Sequence, residues 1–277
     1  GAAGRPEDVA TLRHELGLDR PVHIQYVRWV GRAMQGDLGR SIALRRPVLD
    51  EVLQRFKNTL LLSSAAAVLS FSLGIALGML SAVKRGSIFD RLAMLLATFG
   101  LSLPSFWFAM MLIIVFSVRI RLLPGTGMTS PIGGGGFGDV AKHMVLPTLA
   151  LAVVPLAVIA RYTRSAMLEV VAQDYVTTAR AKGLAERAVI MRHVMRNTLV
   201  VIVTMLGLQV GFLLAGAVYV ENVFSWPGVG QMLVVAILKR DFPLVQGGVL
   251  LVAASYVAIN LLTDLIYAYL DPRIRLS

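Results

Sequence analysis

The chain contains no cysteine, which excludes a disulfide scaffold and a thiolate metal site and leaves the compartment open. None of its lysines, Lys57, Lys84, Lys142, Lys182 and Lys239, follows a glycine. The Gly-Lys-Ser/Thr step of a phosphate-binding loop is therefore missing, and the run Gly133 to Gly136 reads as a flexible loop. There is no HExxH, and His14, His23, His143 and His193 fall outside or at the edges of the apolar runs. An intramembrane hydrolase would need a catalytic pair or metal ligands at bilayer depth, and none is visible. Charge is scarce too: 16% of residues are charged against 56% hydrophobic, well to the apolar side of an ordinary soluble domain. The chain opens at Gly1 without a methionine or a signal-peptide pattern, so it reads as part of a longer protein.

What is present is a set of long runs without charge: Asn58 to Val83, Leu92 to Val118, His143 to Ala160, Asn197 to Val220 and Phe242 to Thr263. Crossing about 30 Å of hydrocarbon takes roughly 20 helical residues, and all five runs qualify, the third narrowly. Helices apolar on every side need lipid or a very large protein around them. The fold expected is all-α, a polytopic membrane protein with five transmembrane helices. Pro104 should kink the second span, and Gly207, Gly211 and Gly216 offer the fourth span small surfaces for close packing.

Residues 1 to 57 are polar, with helical pieces. PEDVATLRHEL carries Pro6 near a helix start and Gly17 at its stop, and PVHIQYVRWVGRAMQ sets Ile24, Val27, Val30 and Met34 at helical spacing before GDLGRS breaks it. These helices are expected to lie on the membrane or on the body of the protein.

The formal charge of +11 is explained by basic loops facing anionic lipid and a partner protein rather than by nucleic acid. Among short loops, one side of the membrane holds Lys84, Arg85, Arg91, the seven basic residues from Arg161 to Arg196, Arg273 and Arg275, and the other only Arg119, Arg121, Lys142, Lys239 and Arg240. The first side is the cytoplasmic one. The central loop and the C-terminus are therefore expected inside, and residues 1 to 57 and the SWPGVG loop outside.

The central loop, Asp174 to Leu199, is polar and helix-prone between two apolar runs. Asp174 suits an N-cap, Gly183 a left-handed C-cap, and a second helical piece follows over Ala185 to Asn197. Two short helices joined at a glycine would make a compact knob for a groove on another protein.

This loop resembles the cytoplasmic EAA loop of binding-protein-dependent ABC importer permeases. Thr177, Thr178 and Ala179 occupy the Glu-Ala-Ala positions, Gly183 the glycine, and His193, Met195 and Arg196 the last named positions, of which Ala179 and Gly183 match the general pattern. The variant YxxTARAKGL, preceded by TRSAMLEV and followed by RHxxRN, is more specific and is similar to the dipeptide/oligopeptide/nickel branch, its B-type subunit in particular. ELGLDRP, GDLGRS, AVKRGSIFD, GLQVG, FSWPGVG, VQGGVLLV and DPRIR extend the likeness over nearly the whole chain.

The resemblance implies a non-catalytic permease subunit of the bacterial inner membrane, forming half of a path for peptides. Nickel or glutathione is the alternative cargo, and a passive channel or secondary transporter the alternative class. It implies a C-type permease, two ATP-binding subunits that hold ATP and Mg, and an extracytoplasmic binding protein as partners. It also implies one more transmembrane helix before residue 1, with residues 1–57 as an extracytoplasmic segment, 58–277 as the transmembrane domain and the EAA loop at 161–197. On this reading Tyr175, Thr177, Thr178, Ala179, Arg180, Ala181, Lys182, Gly183, His193 and Arg196 couple to the ATPase, with Arg180 and Lys182 as charged contacts at the rim.

Glu221, Phe224, Trp226, Pro227, Gly228 and Gly230 are candidates for an outer gate or for contact with the binding protein, with Trp226-Pro227-Gly228 as a rigid turn. Polar groups on the spans usually face water or the protein interior, which makes Ser102, Ser105, Gln209, Asn260 and Asp264 candidates for the path. Asn58, Ser63 and Thr204 are lesser ones.

Overall fold

The computed structural model describes residues 21–131 and 133–270, and of these the side chains of all but 200, 264 and 266–270. The expected helix over PEDVATLRHEL, the C-terminal Arg273 and Arg275, and the side chain of Asp264 lie outside the described residues.

Helix α1, Val22–Met34, ends where Gly36 takes a positive φ of 84°, the break expected of GDLGRS. Helix α2, Val48–Val83, has 36 residues and so a length of about 54 Å, well beyond the hydrocarbon. The change from polar to apolar sequence near Asn58 falls inside this helix, without a break. Ser87 then caps α3, Ile88–Ser102, by accepting from the Asp90 N–H at 3.2 Å. The expected kink at Pro104 is a full break: α3 meets α4, Ser105–Leu112, and its π-helical extension Ile113–Arg119 at 105°. Pro104 has no N–H to offer the turn before it and disfavours helix at Leu103, whose backbone is extended.

The third apolar run sits within α5, Phe137–Val171, which holds Pro147 and Pro155 in its interior. It is the most enclosed span, with 61% of its most apolar window buried against 17% to 28% for the other long helices. The glycine run before it is not loose throughout. Asp139 accepts from the Ser130 N–H and hydroxyl, each at 2.7 Å, and a Cβ on Gly134 would meet the Ser130 backbone at 2.5 Å. After α5 come α6, Asp174–Ala181, the single turn α7, Glu186–Ala188, a π-helical stretch Val189–Val194, and α8, Met195–Val223. Short α9, Val229–Leu238, and α10, Phe242–Leu270, complete the described residues. Among the described residues, four helices are long and apolar enough to cross a membrane, and the bent α3–α4 pair makes a fifth crossing if it is one span.

Three apolar clusters follow one another along the bundle. A central one includes Leu62, Leu112, Leu146, Leu151, Leu213 and Trp226. Ala82, Met167, Val176, Ala179, Val189 and Ile202 form one at one end, and Leu38, Val48, Val52, Val229, Met232 and Leu244 one at the other. Glycines bring the spans together, because lipid supplies no hydrophobic drive for one span to leave it for another and close packing must do the work. Gly211 faces Tyr256 of α10, Gly216 faces Leu151 of α5 and Gly207 faces Thr263. The tightest approach between α2 and α5 is at Gly78, where an added Cβ would lie 2.5 Å from the Ala160 carbonyl oxygen and 2.6 Å from Thr163 Cβ. Gly78→Ala is therefore expected to cost about 1–3 kcal/mol as overpacking and to lower the unfolding temperature in detergent. Gly138→Ala, where nothing lies within 4 Å, should leave it unchanged.

Candidate functional site

The first candidate region is the knob between α5 and α8. Gln173 is the N-cap residue of α6, its carbonyl accepting from the Val176 N–H at 3.0 Å. Asp174 is thus the first helical residue and not the expected cap, although its charge still suits the positive end of the helix. The other end is as expected: Gly183 has φ 76° and its N–H donates to the Arg180 carbonyl at 2.9 Å. The second helical piece is not separate. From Glu186 it continues through the π-helical stretch directly into α8.

Val176 and Ala179 are buried and pack with Met167, Val189 and Val194. Ala179 is therefore part of the knob's own core and not a contact residue. Tyr175, Thr177, Thr178, Arg180, Ala181, Lys182, Gly183 and Arg196 are exposed, and His193 is half-buried. Arg180 braces the knob through a two-pronged contact with Glu186, at 2.6 and 3.0 Å. The hydrogen bond between them raises the Arg180 pKa and lowers that of Glu186. Tyr175 OH accepts from Asn197 Nδ2 at 2.7 Å, joining α6 to the start of α8.

Close by in the chain, Arg164 of α5 grips Asp90 of α3 at 2.6 and 2.8 Å, and Asp90 also accepts from the Gly86 N–H at 3.0 Å. The sequence carries no sign of this pairing. The Ser87-x-x-Asp90 spacing is a capping-box signal that marks the start of α3, but nothing in it points to Arg164.

The second region, at the opposite end, is a clasp. Glu221, fully buried, accepts from the Thr59 hydroxyl at 2.6 Å, the Gly230 N–H at 2.7 Å and the Gln231 N–H at 3.2 Å. Thr59 in turn accepts from the Val229 N–H at 2.9 Å. Trp226, also fully buried, donates from its indole to the Asn58 carbonyl at 3.0 Å, and Asn58 donates from its amide to the Pro227 carbonyl at 2.8 Å. The Phe224 carbonyl accepts from the Gly127 N–H at 2.8 Å. A Cβ at Gly228 would strike the Glu221 carboxyl, and one at Gly230 would lie 2.5 Å from Val218 Cα. Glu221, Phe224, Trp226, Gly228 and Gly230 are thus inside the protein, and this corrects their reading as direct contacts for a binding protein. Pro227 is half-buried and Ser225 exposed.

Asp241, missed in the sequence, straps a neighbouring loop to the same end. It accepts from the Ser41 hydroxyl at 2.5 Å, Ala43 N–H at 3.0 Å, Ile42 N–H at 3.2 Å and, as cap of α10, Leu244 N–H at 3.3 Å. An acid just before the Phe-Pro that opens an apolar run is the signal that marks it. Burial pushes the Asp241 pKa up, but these hydrogen bonds outweigh it and the net shift is downward. A depressed folded-state pKa stabilises the fold above the ordinary aspartate range and is lost as pH falls through the folded value. Acid should therefore loosen the 41–46 loop. Unfolding temperature measured against pH should fall below about pH 4 more steeply in the wild type than in Asp241→Asn.

The path candidates are not gathered into one cavity among the described residues. Ser102 and Ser105 flank the Pro104 break, and the Ser102 hydroxyl donates back to the Thr98 carbonyl at 3.0 Å. Gln209 is half-buried, its side-chain oxygen enclosed without a partner, and Asn260 is half-buried. A groove of about 410 Å³ between α2, α3 and α5 is lined by Leu77, Phe89, Leu96, Gly100, Val153 and other apolar residues, and by none of these candidates.

Fold and site together define a polytopic helical membrane subunit that presents a braced polar knob at one end and carries no P-loop. The family model described as binding-protein-dependent transport system inner membrane component matches residues 74–276. The dipeptide transport system permease protein DppB of Escherichia coli is 48% identical over 98% of this chain and 86% of its own length. The di/tripeptide transport system permease protein DppB of Pseudomonas aeruginosa is 44% identical over 98% and 86%. The glutathione transport system permease protein GsiC of Salmonella paratyphi A is 42% identical over 96% and 84%. Among solved structures, the inward-facing MetNI methionine ABC transporter has a chain that superposes with TM-score 0.65 over 80% of this chain and 96% of its own, at 17% identity, a likeness of fold alone. The chain belongs to the binding-protein-dependent transport system inner membrane component family and is a permease subunit of an ABC importer.

Proposed function

We propose that this subunit forms half of the translocation path for short peptides, paired with a similar permease, driven by two ATP-binding subunits that hold ATP and Mg, and supplied by an extracytoplasmic binding protein. The observation that carries the cargo reading is the 48% identity, over nearly the whole chain, to a dipeptide permease. The glutathione permeases at 42% keep a modified tripeptide within the same class. The knob and the C-terminus face the cytoplasm, as the Lys and Arg distribution supports, and residues 1–57 and the clasp face outward.

The mechanism rests on how the two regions are joined. The exposed face of α6 seats in a groove of an ATP-binding subunit. The knob is continuous with α8 through the π-helical stretch and only two residues from α5, so closure of the ATPase pair moves both spans as a two-state element biased from outside. At its far end α8 holds Glu221, hence the 226–231 turn and α2. A displacement at the knob thereby reaches the outer end along one helix of 29 residues, about 44 Å long. The buried clasp residues serve as the hinge of an outer gate and not as its contact surface.

The test is uptake by proteoliposomes of the whole importer with its binding protein. Labelled dipeptide should accumulate only with ATP, and unlabelled dipeptide should compete better than glutathione or nickel. Accumulation without ATP would sink the importer assignment, and stronger competition by glutathione or nickel would reassign the cargo.

A further inference from the structure

Helix α1 has no role in the coupling or gating scheme, and its surface divides into three strips. Gln25, Trp29 and Ala33, at four-residue spacing and so on one face, are each partly covered. Ala33 packs on the cluster of Leu38, Val48, Val229 and Leu244. Beside this strip lie Tyr26, Val27, Val30 and Met34, with His23 among them at the start of the helix. Tyr26, Val27 and Met34 are 64%, 67% and 84% exposed, and Val30 is half-buried. Flanking the covered strip on its other side are Arg28 and Arg32, both exposed, and α1 contains no acidic residue.

We infer that α1 is an in-plane interfacial helix, with Tyr26, Val27, Val30 and Met34 in the acyl-chain boundary and Arg28 and Arg32 on lipid headgroup phosphates. Two observations select lipid as the occupant. Ala33 packs on a cluster that includes Leu244, in the first turn of the span α10, so the helix leaves the body near the level where that apolar run begins. An apolar strip nearly opposite a pair of arginines, on a helix without acidic residues, is what a helix lying at a membrane surface requires. The apolar face points down, the charged face meets anionic headgroups, and the aromatic pair Tyr26 and Trp29 suits the interfacial belt.

With any cysteines of the partner subunits replaced, the absence of cysteine in this chain permits single-cysteine labelling in the assembled importer. Nitroxide at Val27→Cys, Met34→Cys, Arg28→Cys and Arg32→Cys is measured for relaxation by oxygen and by a water-soluble nickel chelate, in phosphatidylethanolamine–phosphatidylglycerol vesicles. The oxygen-to-chelate ratio should be several-fold higher at the Val27 and Met34 positions than at the two arginine positions. Exchange of both arginines for glutamate should lower the ratio at Val27→Cys. Equal ratios at all four positions would overturn the inference, as would protection of the Val27 position only when the binding protein is added, which would assign this face to that protein.

Discussion

An importer carrying Gly183→Val should keep substrate capture by its binding protein, lose most of its uptake and lose the stimulation of ATP hydrolysis by loaded binding protein. Gly183 sits at φ 76° with nothing within 4 Å of its Cβ position, so the obstacle is conformation and not space. A side chain in the left-handed region costs about 1–2 kcal/mol, and a β-branched one more. The cheapest relief is to unwind the end of α6, which moves Ala181 and Lys182. The knob is at the surface, so folding of the spans should survive. Gly183→Asn, which tolerates this backbone better, should retain more uptake than Gly183→Val. Ala179→Glu should abolish coupling more severely, by forcing a carboxylate into the cluster of Met167, Val189 and Val194. Normal uptake and normal stimulated hydrolysis in Gly183→Val would remove the knob from the coupling scheme.

The second large effect is expected at the opposite end. Glu221→Ala leaves the Gly230 and Gln231 N–H groups and the Thr59 hydroxyl without their acceptor, at about 1–3 kcal/mol for each buried group left unpaired. The 226–231 turn should come away from α2, with a lower unfolding temperature and faster proteolysis between Phe224 and Gln231. Glu221→Gln keeps one carbonyl oxygen and the same volume, and should fall between the two. If Glu221→Ala were as stable and as protease-resistant as the wild type, the clasp would not be what holds this end together.

The contrast between these regions explains what was legible in the sequence. Span count, a disruption at Pro104, expected as a kink and found as a full break, and the left-handed Gly183 follow from local rules: absence of charge over a length, a missing N–H and a missing Cβ. The knob's exposed face followed from its polarity. Long-range pairings were not legible. Glu221 reads in the sequence as a candidate for an outer gate or a binding-protein contact because its hydrogen-bond donors, the Thr59 hydroxyl and the Gly230 N–H, are set by how α2 and α9 fold against it. The same holds for Asp90 with Arg164 and Asp241 with Ser41, where each charge stands at the edge of an apolar run and its partner is far away in the chain. Ala179 falls in the coupling set because family resemblance marks positions and not directions. The structure turns it inward and leaves Tyr175, Thr177, Thr178, Arg180, Ala181, Lys182 and Gly183 exposed. The second helical piece lost its independence because no glycine or proline separates Glu186 from α8, and a π-helical stretch carries the helix through.

The central claim is that the exposed face of α6 is the seat of an ATP-binding subunit. Ala181→Cys would be the one cysteine in this chain. With any cysteines of the partner subunits replaced, its labelling by a water-soluble maleimide can be followed on the permease alone and on the assembled importer. The account predicts rapid labelling of the permease alone and strong protection once the ATP-binding subunits are bound, with Val22→Cys on α1 labelled equally in both. Equal labelling of Ala181→Cys in the two states would contradict it.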